Sequence, residues 1–243
     1  MQNMRILKSG LILLGVTTSL ALHAQTADEI INKHIEAIGG KDVISKVKSI
    51  VIEGEVGVMG QTFPSTTTIL VNKGFKNVTT VNGVEIIQCL TPDGGWSVNP
   101  MMGATSPTPV SDEEKKIGES RYDVGGPLYN YKEKGSTVEL AGSDSVNGVK
   151  TIRLKLKDKN GMETLFSLDP KTYYVLKQET KGNFGGQDVT AITTFSDFKK
   201  TDIGYVMPFT TSASTQGFDV TITHNKIEFN KEIDPKIFEM PKS

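Results

Sequence analysis

From Val47 to Phe229 the chain repeats one kind of unit, a short run rich in valine, isoleucine, threonine and aromatic residues closed by a glycine- or asparagine-bearing turn. Such runs are strands, and turns this short join neighbours in antiparallel order, so the pattern commits most of the chain to a β-meander. The runs fall near Val47 to Val58, Thr62 to Asn72, Phe75 to Val81, Val84 to Leu90 and Trp96 to Val98. They resume at Thr137 to Ala141, Val149 to Lys157, Glu163 to Leu168, Tyr174 to Lys181 and Asp188 to Phe198. A closing hairpin follows, Tyr205 to Ser214 and Phe218 to Phe229, with Gln216-Gly217 as its turn. The expectation is about eleven strands, mainly β with a few helices.

Alternation says how the sheet is wetted. In Val149 to Lys157, Ile152, Leu154 and Leu156 share one face while Arg153, Lys155 and Lys157 share the other, as in a sheet with one face toward water. The last strand breaks its own parity. Phe218, Val220 and Ile222 are even-numbered, whereas Ile227 and Phe229 are odd. One extra residue near Thr223 to Lys226, a β-bulge, restores a common face and curves the sheet.

Helices are few. Thr26 and Glu29 have capping-box spacing, and Ala27, Ile31, Ile35 and Ile38 recur on one helical face before Gly39-Gly40, so a helix is expected from Ala27 to Ile38. Lys41 to Lys46 suits a further short turn. The meander is interrupted once, by a proline-bearing loop from Asn99 to Pro109, a helix from Ser111 to Tyr122, and a second short helix opened by Gly126-Pro127 and running to Lys132.

Residues 1–24 combine Arg5 and Lys8, the apolar run Leu11 to Val16, and Leu22-His23-Ala24 before Gln25, the build of a cleavable export signal, with an uncleaved anchor as the alternative because Leu22 is an unusual residue three before the cut. Residues 25–243 are then one mature domain in an envelope compartment, the periplasm, soluble and expected to be monomeric. Gln25 rather than cysteine would lead the mature chain, which argues against a lipid anchor. The lone Cys89 has no partner for an internal disulfide and reads as a buried thiol. A formal net charge of −1, with no concentrated basic face, leaves no nucleic-acid partner.

Little here points to chemistry. His34 and His224 stand in no metal-ligand spacing, the glycine pairs lack the strand-loop-helix setting of a phosphate loop, and no nucleophile with its base stands out. No metal, no cofactor and no catalytic residue is expected.

A helix ending Ile-Gly-Gly, a meander, a helical interruption, more meander, and the segments DPKTYYVLKQET, TFSDFKK, GYVMPF and KIEFNKEIDPKIFEMP together resemble the LolA family of periplasmic lipoprotein carriers. The resemblance implies an incomplete antiparallel β-barrel covered by helices, with an apolar groove for lipid or lipoprotein acyl chains, and membrane components of lipoprotein transport as further partners. Ile152, Leu154, Leu156, Phe166, Leu168, Phe195, Phe209 and Ile222 are the candidates for that groove, with ordinary core packing as the competing reading of each. Trp96, Met101 and Met102 join them, because thioethers beside a large aromatic adapt to varied apolar partners. An envelope sensor or scaffold that binds protein, and a small-molecule enzyme, remain open on the same fold.

Overall fold

The computed structural model describes residues 25–184, 187–215 and 218–241. The proposed export signal at residues 1–24, and part of the turns expected at Asn183 to Gly186 and Gln216-Gly217, lie outside the described residues. Helix α1 covers Ala27–Ala37 and α2 covers Lys41–Ile44; α3 covers Asp112–Gly118 and continues as a 3-10 turn, Glu119–Tyr122. The first run of strands is β1 (Ser49–Val58), β2 (Gln61–Leu70), β3 (Gly74–Val81), β4 (Val84–Thr91), β5 (Gly94–Asn99) and β6 (Ala104–Pro109). The second is β7 (Thr137–Val146), β8 (Val149–Lys157), β9 (Glu163–Leu168), β10 (Val175–Phe184), β11 (Gln187–Lys200), β12 (Val206–Thr215) and β13 (Phe218–Phe229).

All thirteen strands form one antiparallel sheet in the order β6-β5-β4-β3-β2-β1-β13-β12-β11-β10-β9-β8-β7. Every neighbour but one is also a neighbour in sequence. The exception is β1 with β13, which joins the two meanders. Strands β6 and β7 are free edges, so the sheet is open and not a closed barrel. Thirteen strands replace the expected eleven or so, and one of them, β6, lies in the stretch read as a loop. Its Pro107 and Pro109 are compatible with a strand because an outermost strand need not donate on its free side.

Bulges bend the sheet. Glu53 pairs with Lys226 but Gly54 pairs with His224, so Asn225 is the extra residue that the broken parity of β13 called for. Gly54 belongs to the same device: a Cβ there would lie 2.2 Å from the Thr223 carbonyl oxygen. With the bulge in place, Ile222 and Ile227 face the same side.

That side, the inner face, carries the helices. The capping box of α1 is formed, with the Glu29 amide donating to the Thr26 hydroxyl and the Thr26 amide to the Glu29 carboxylate. Ile30, Ile31 and Ile35 of α1 are buried in one core with Ile50 and Ile52 of β1, Leu154 and Leu156 of β8, and Phe166 and Leu168 of β9. A second cluster packs Phe75 and Leu90 against Tyr122. The helix expected from Gly126 to Lys132 is instead a chain of turns. Positive φ at Gly125, Gly126 and Asn130 ends each helical turn before it can propagate.

The outer face is closed at one end by the chain's own C-terminal segment, Pro235–Phe238. The Phe238 carbonyl oxygen accepts from Trp96 Nε1 at 3.0 Å and from Cys89 Sγ at 3.3 Å. Gly74 gives the Phe238 ring its seat, since a Cβ there would come within 2.8 Å of the ring.

Candidate functional site: a cavity and an open apolar row

Where α1 ends, its contact with the sheet is incomplete. Between α1, the turns at Gly125 to Leu128, and strands β9 to β12 lies a cavity of about 180 Å³. Its wall is mostly apolar: Ile38, Leu128, Phe166, Val175, Phe195, Phe198, Met207 and Pro208. Three side chains carry polar atoms to it, His34, Gln178 and Tyr205. The strand register explains why residues so far apart in sequence meet here. Phe166 pairs with Gln178 and Gln178 with Thr193, while the Val206 amide donates to the carbonyl of Ile38 at 2.9 Å and docks β12 on the end of α1.

His34 is 7% exposed, and its Nδ1 lies 2.8 Å from the Tyr173 carbonyl oxygen. A carbonyl only accepts, so the neutral ring carries its proton on Nδ1 and presents a lone pair at Nε2. Burial pulls the His34 pKa below its ordinary value, which keeps the ring neutral. Burial also pushes the Tyr205 phenol up to about 12. The polar atoms of the wall are therefore uncharged at neutral pH.

Beyond the cavity the inner face continues as a row outside the core clusters. Across consecutive pairings Phe195 stands opposite Thr211, Thr211 opposite Ile222, Ile222 opposite Val56 and Val56 opposite Phe63. All five are half-buried. Phe195 belongs to both features, so the cavity and the row meet at its side chain. Near them Phe209 packs edge-on to His224 at 6.3 Å between ring centroids. His224 sits on the same face, and its Nδ1 is buried without a partner among the described residues.

The structure separates the residues singled out from sequence into five places. Phe166 and Phe195 line the cavity, and Ile222 and Phe209 lie along or beside the open row. Leu154 and Leu168, both 0% exposed, and Leu156 are packed in the core, with Ile152 against it. Trp96 lies on the outer face, opposite Cys89 and under Phe238. Met101 and Met102 occupy a turn between β5 and the edge strand β6, 64% and 83% exposed. The cavity-lining set from α1, the Gly125 turn and Tyr205 to Pro208 was not marked in the sequence. The one signal for it was the unused polar residue His34 on the apolar stripe of α1.

No protein-family model matches the sequence, and no curated protein does. Solved structures do match. A domain named for outer membrane lipoprotein sorting from Vibrio parahaemolyticus superposes with a TM-score of 0.58 at 16% identity, over 86% of this chain and 95% of that one. A LolA superfamily protein from Nitrosomonas europaea gives 0.59 at 12% identity, over 89% and 98%. The fold is LolA-like. A DUF1329 family protein from Desulfovibrio piger shares the architecture more loosely, with a TM-score of 0.51 at 11% identity over 87% of this chain and 96% of that one. At such identities the agreement concerns the path of the backbone. In this LolA-like chain the open antiparallel sheet with a few helices is its common ground with the sequence reading. Among the described residues no helix is long and apolar enough to cross a membrane.

Proposed function

We propose that the protein is an envelope carrier that holds the acyl chain of a lipid or lipoprotein on its inner face, after export directed by residues 1–24. The observation that carries this reading is the continuity of the cavity with the row Phe195, Ile222, Val56 and Phe63. An acyl chain is apolar and featureless, so it needs a water-excluding surface and no array of fixed polar groups. Each buried methylene contributes about 0.8 kcal/mol, so a half-covered chain already outweighs a modest ordering cost. The cavity alone is small. An engineered cavity of about 150 Å³ takes one benzene, so a chain would seat one end in the cavity and lie along the open row. The names of the solved relatives are consistent with such a task.

Native mass spectrometry of protein purified from the envelope, before and after delipidation, tests the proposal; fatty-acyl mass should leave the protein. Phe195→Asp should abolish uptake while the chain stays folded, because Phe195 stands outside the core clusters. Leu154→Asp is no substitute, since a charge placed among the 0% exposed core residues would unfold the chain. A folded Phe195→Asp variant that still carries lipid would remove the inner face as the binding surface.

A further inference from the structure

Of the three side chains that bring polar atoms to the mostly apolar cavity, one has a specific chemistry. His34 is fixed by the bond from its Nδ1 to the Tyr173 carbonyl oxygen, so its Nε2 is an acceptor and cannot donate while the ring is neutral. Nε2 has no hydrogen-bond partner among the described residues and is not among their fully enclosed orphan atoms. The cavity is what the ring borders. A mostly aliphatic and aromatic wall thus carries, at His34, a lone pair that no described residue answers.

An alkyl terminus leaves that lone pair unanswered. A carboxylate would set a negative charge against it in a site with no cation among the residues lining it. A hydroxyl or an un-ionised carboxyl answers it with a proton and brings no charge. Resting on the carrier reading, we infer that the ligand is a single-chain amphiphile ending in a hydrogen-bond donor, a long-chain alcohol or a protonated fatty acid. Its polar end is seated against His34 Nε2 and its chain runs outward past Phe195 along the open row. The polar end is therefore the innermost part, the reverse of an acyl chain entering by its methyl group. Gln178, whose amide donates to the Thr180 hydroxyl at 3.3 Å, makes no hydrogen bond to that lone pair.

Three probes of equal heavy-atom number decide the matter: octanol, its isomer methyl heptyl ether, and nonane, titrated into the delipidated full-length mature protein at neutral pH. Octanol should bind about fivefold or more tighter than the ether, the difference a single hydrogen bond in an apolar site makes. In His34→Phe that preference should vanish while affinity for nonane stays the same or rises. Because the variant removes a buried bond to Tyr173 and could lose stability, the wild-type protein supplies a second readout. The ¹⁵N shift of the His34 Nε2 should move toward the protonated-like range with octanol and stay in place with the ether. If none of the probes binds, the carrier reading falls and this inference with it. If all bind equally, the cavity is a general apolar site and the inference alone is overturned, as it is if the preference for octanol survives in a folded His34→Phe.

Discussion

At the scale of residues, the two described histidines make the protein acid-sensitive. His34 and His224 both have pKa values lowered by burial, partly offset by a neighbouring backbone carbonyl, Tyr173 for the one and Pro208 for the other. In the unfolded chain each titrates near its ordinary value of about 6.5. As pH falls through that value the unfolded state takes up protons that the folded state refuses, so stability is lost on the acid side and is fully present above it. Each histidine contributes a slope of up to about 1.4 kcal/mol per pH unit in that window. Urea denaturation between about pH 7 and pH 5.5 should show the decline, and the double variant His34→Gln, His224→Gln should flatten it. A wild-type profile level across this range would mean that both rings protonate freely in the folded state. Cys89 is the converse case, a group that burial silences. Its thiol is pushed up to about 11 and donates to the Phe238 carbonyl. A thiol-specific reagent should leave it unmodified in the native protein and label it fully in denaturant; rapid native labelling would contradict the closed outer face.

At the scale of elements, the C-terminal segment Pro235–Phe238 behaves as a separate cover. It is held to the sheet by the Phe238 ring in the space left by Gly74, by Ile237 packed beside it, and by the bonds from Trp96 and Cys89 to a single carbonyl. Ending the chain before Asp234 should leave the thirteen strands paired, shift Trp96 emission to the red and make Cys89 reactive. Unchanged emission would show that the indole is shielded by the strands alone. The cap of α1 gives a smaller effect: Thr26→Ala should cost about 1 kcal/mol in urea unfolding, because it frees the amide of Glu29 at the helix start. What the sequence announced about these elements followed from local rules. Capping boxes, turn residues and alternation are short-range, and even the bulge at Asn225 could be read as a conflict of parity within one strand. What it concealed had no local signature. Strand β6, ATSPTP, has neither alternation nor β-branched bulk in its favour beyond its threonines, and it is a strand because β5 lies next to it. Gly126-Pro127 looked like a helix start, yet two glycines and an asparagine with positive φ turned it into a run of turns.

At the scale of the whole molecule, alternation assigns a residue to a face but not to a covered or an uncovered part of it. Leu154 and Phe195 look alike in sequence; one lies under α1 and the other beyond it. Trp96 was misleading for the same reason, since a large aromatic in a strand marks burial without saying which side is buried. The sheet is accordingly stable in an uneven way. Where α1 and the Gly125 turns cover it, strand bonds are shielded by a core that includes Ile52, Leu154 and Phe166. Toward Phe63, Phe195 and Ile222 the same strands run on outside the core clusters, half-buried. Native-state hydrogen exchange should resolve the two ends, with amides of Leu154 and Phe166 opening only on global unfolding and those of Phe63 and Ile222 opening locally, protected about a hundredfold less or weaker still. Binding an amphiphile adds a distinguishable signature. Stabilisation by mass action slows globally opening amides everywhere by one factor; local openings that leave the ligand seated are not slowed, whereas those at Val56, Thr211 and Ile222, which break the open row, are slowed by up to that same factor. Among locally opening amides, adding octanol to the delipidated protein should therefore produce its largest slowing along this row and around Phe195. If the largest slowing falls instead at Cys89 and Trp96 on the outer face, the hollow beside α1 is a packing remnant and the ligand surface lies on the other side of the sheet.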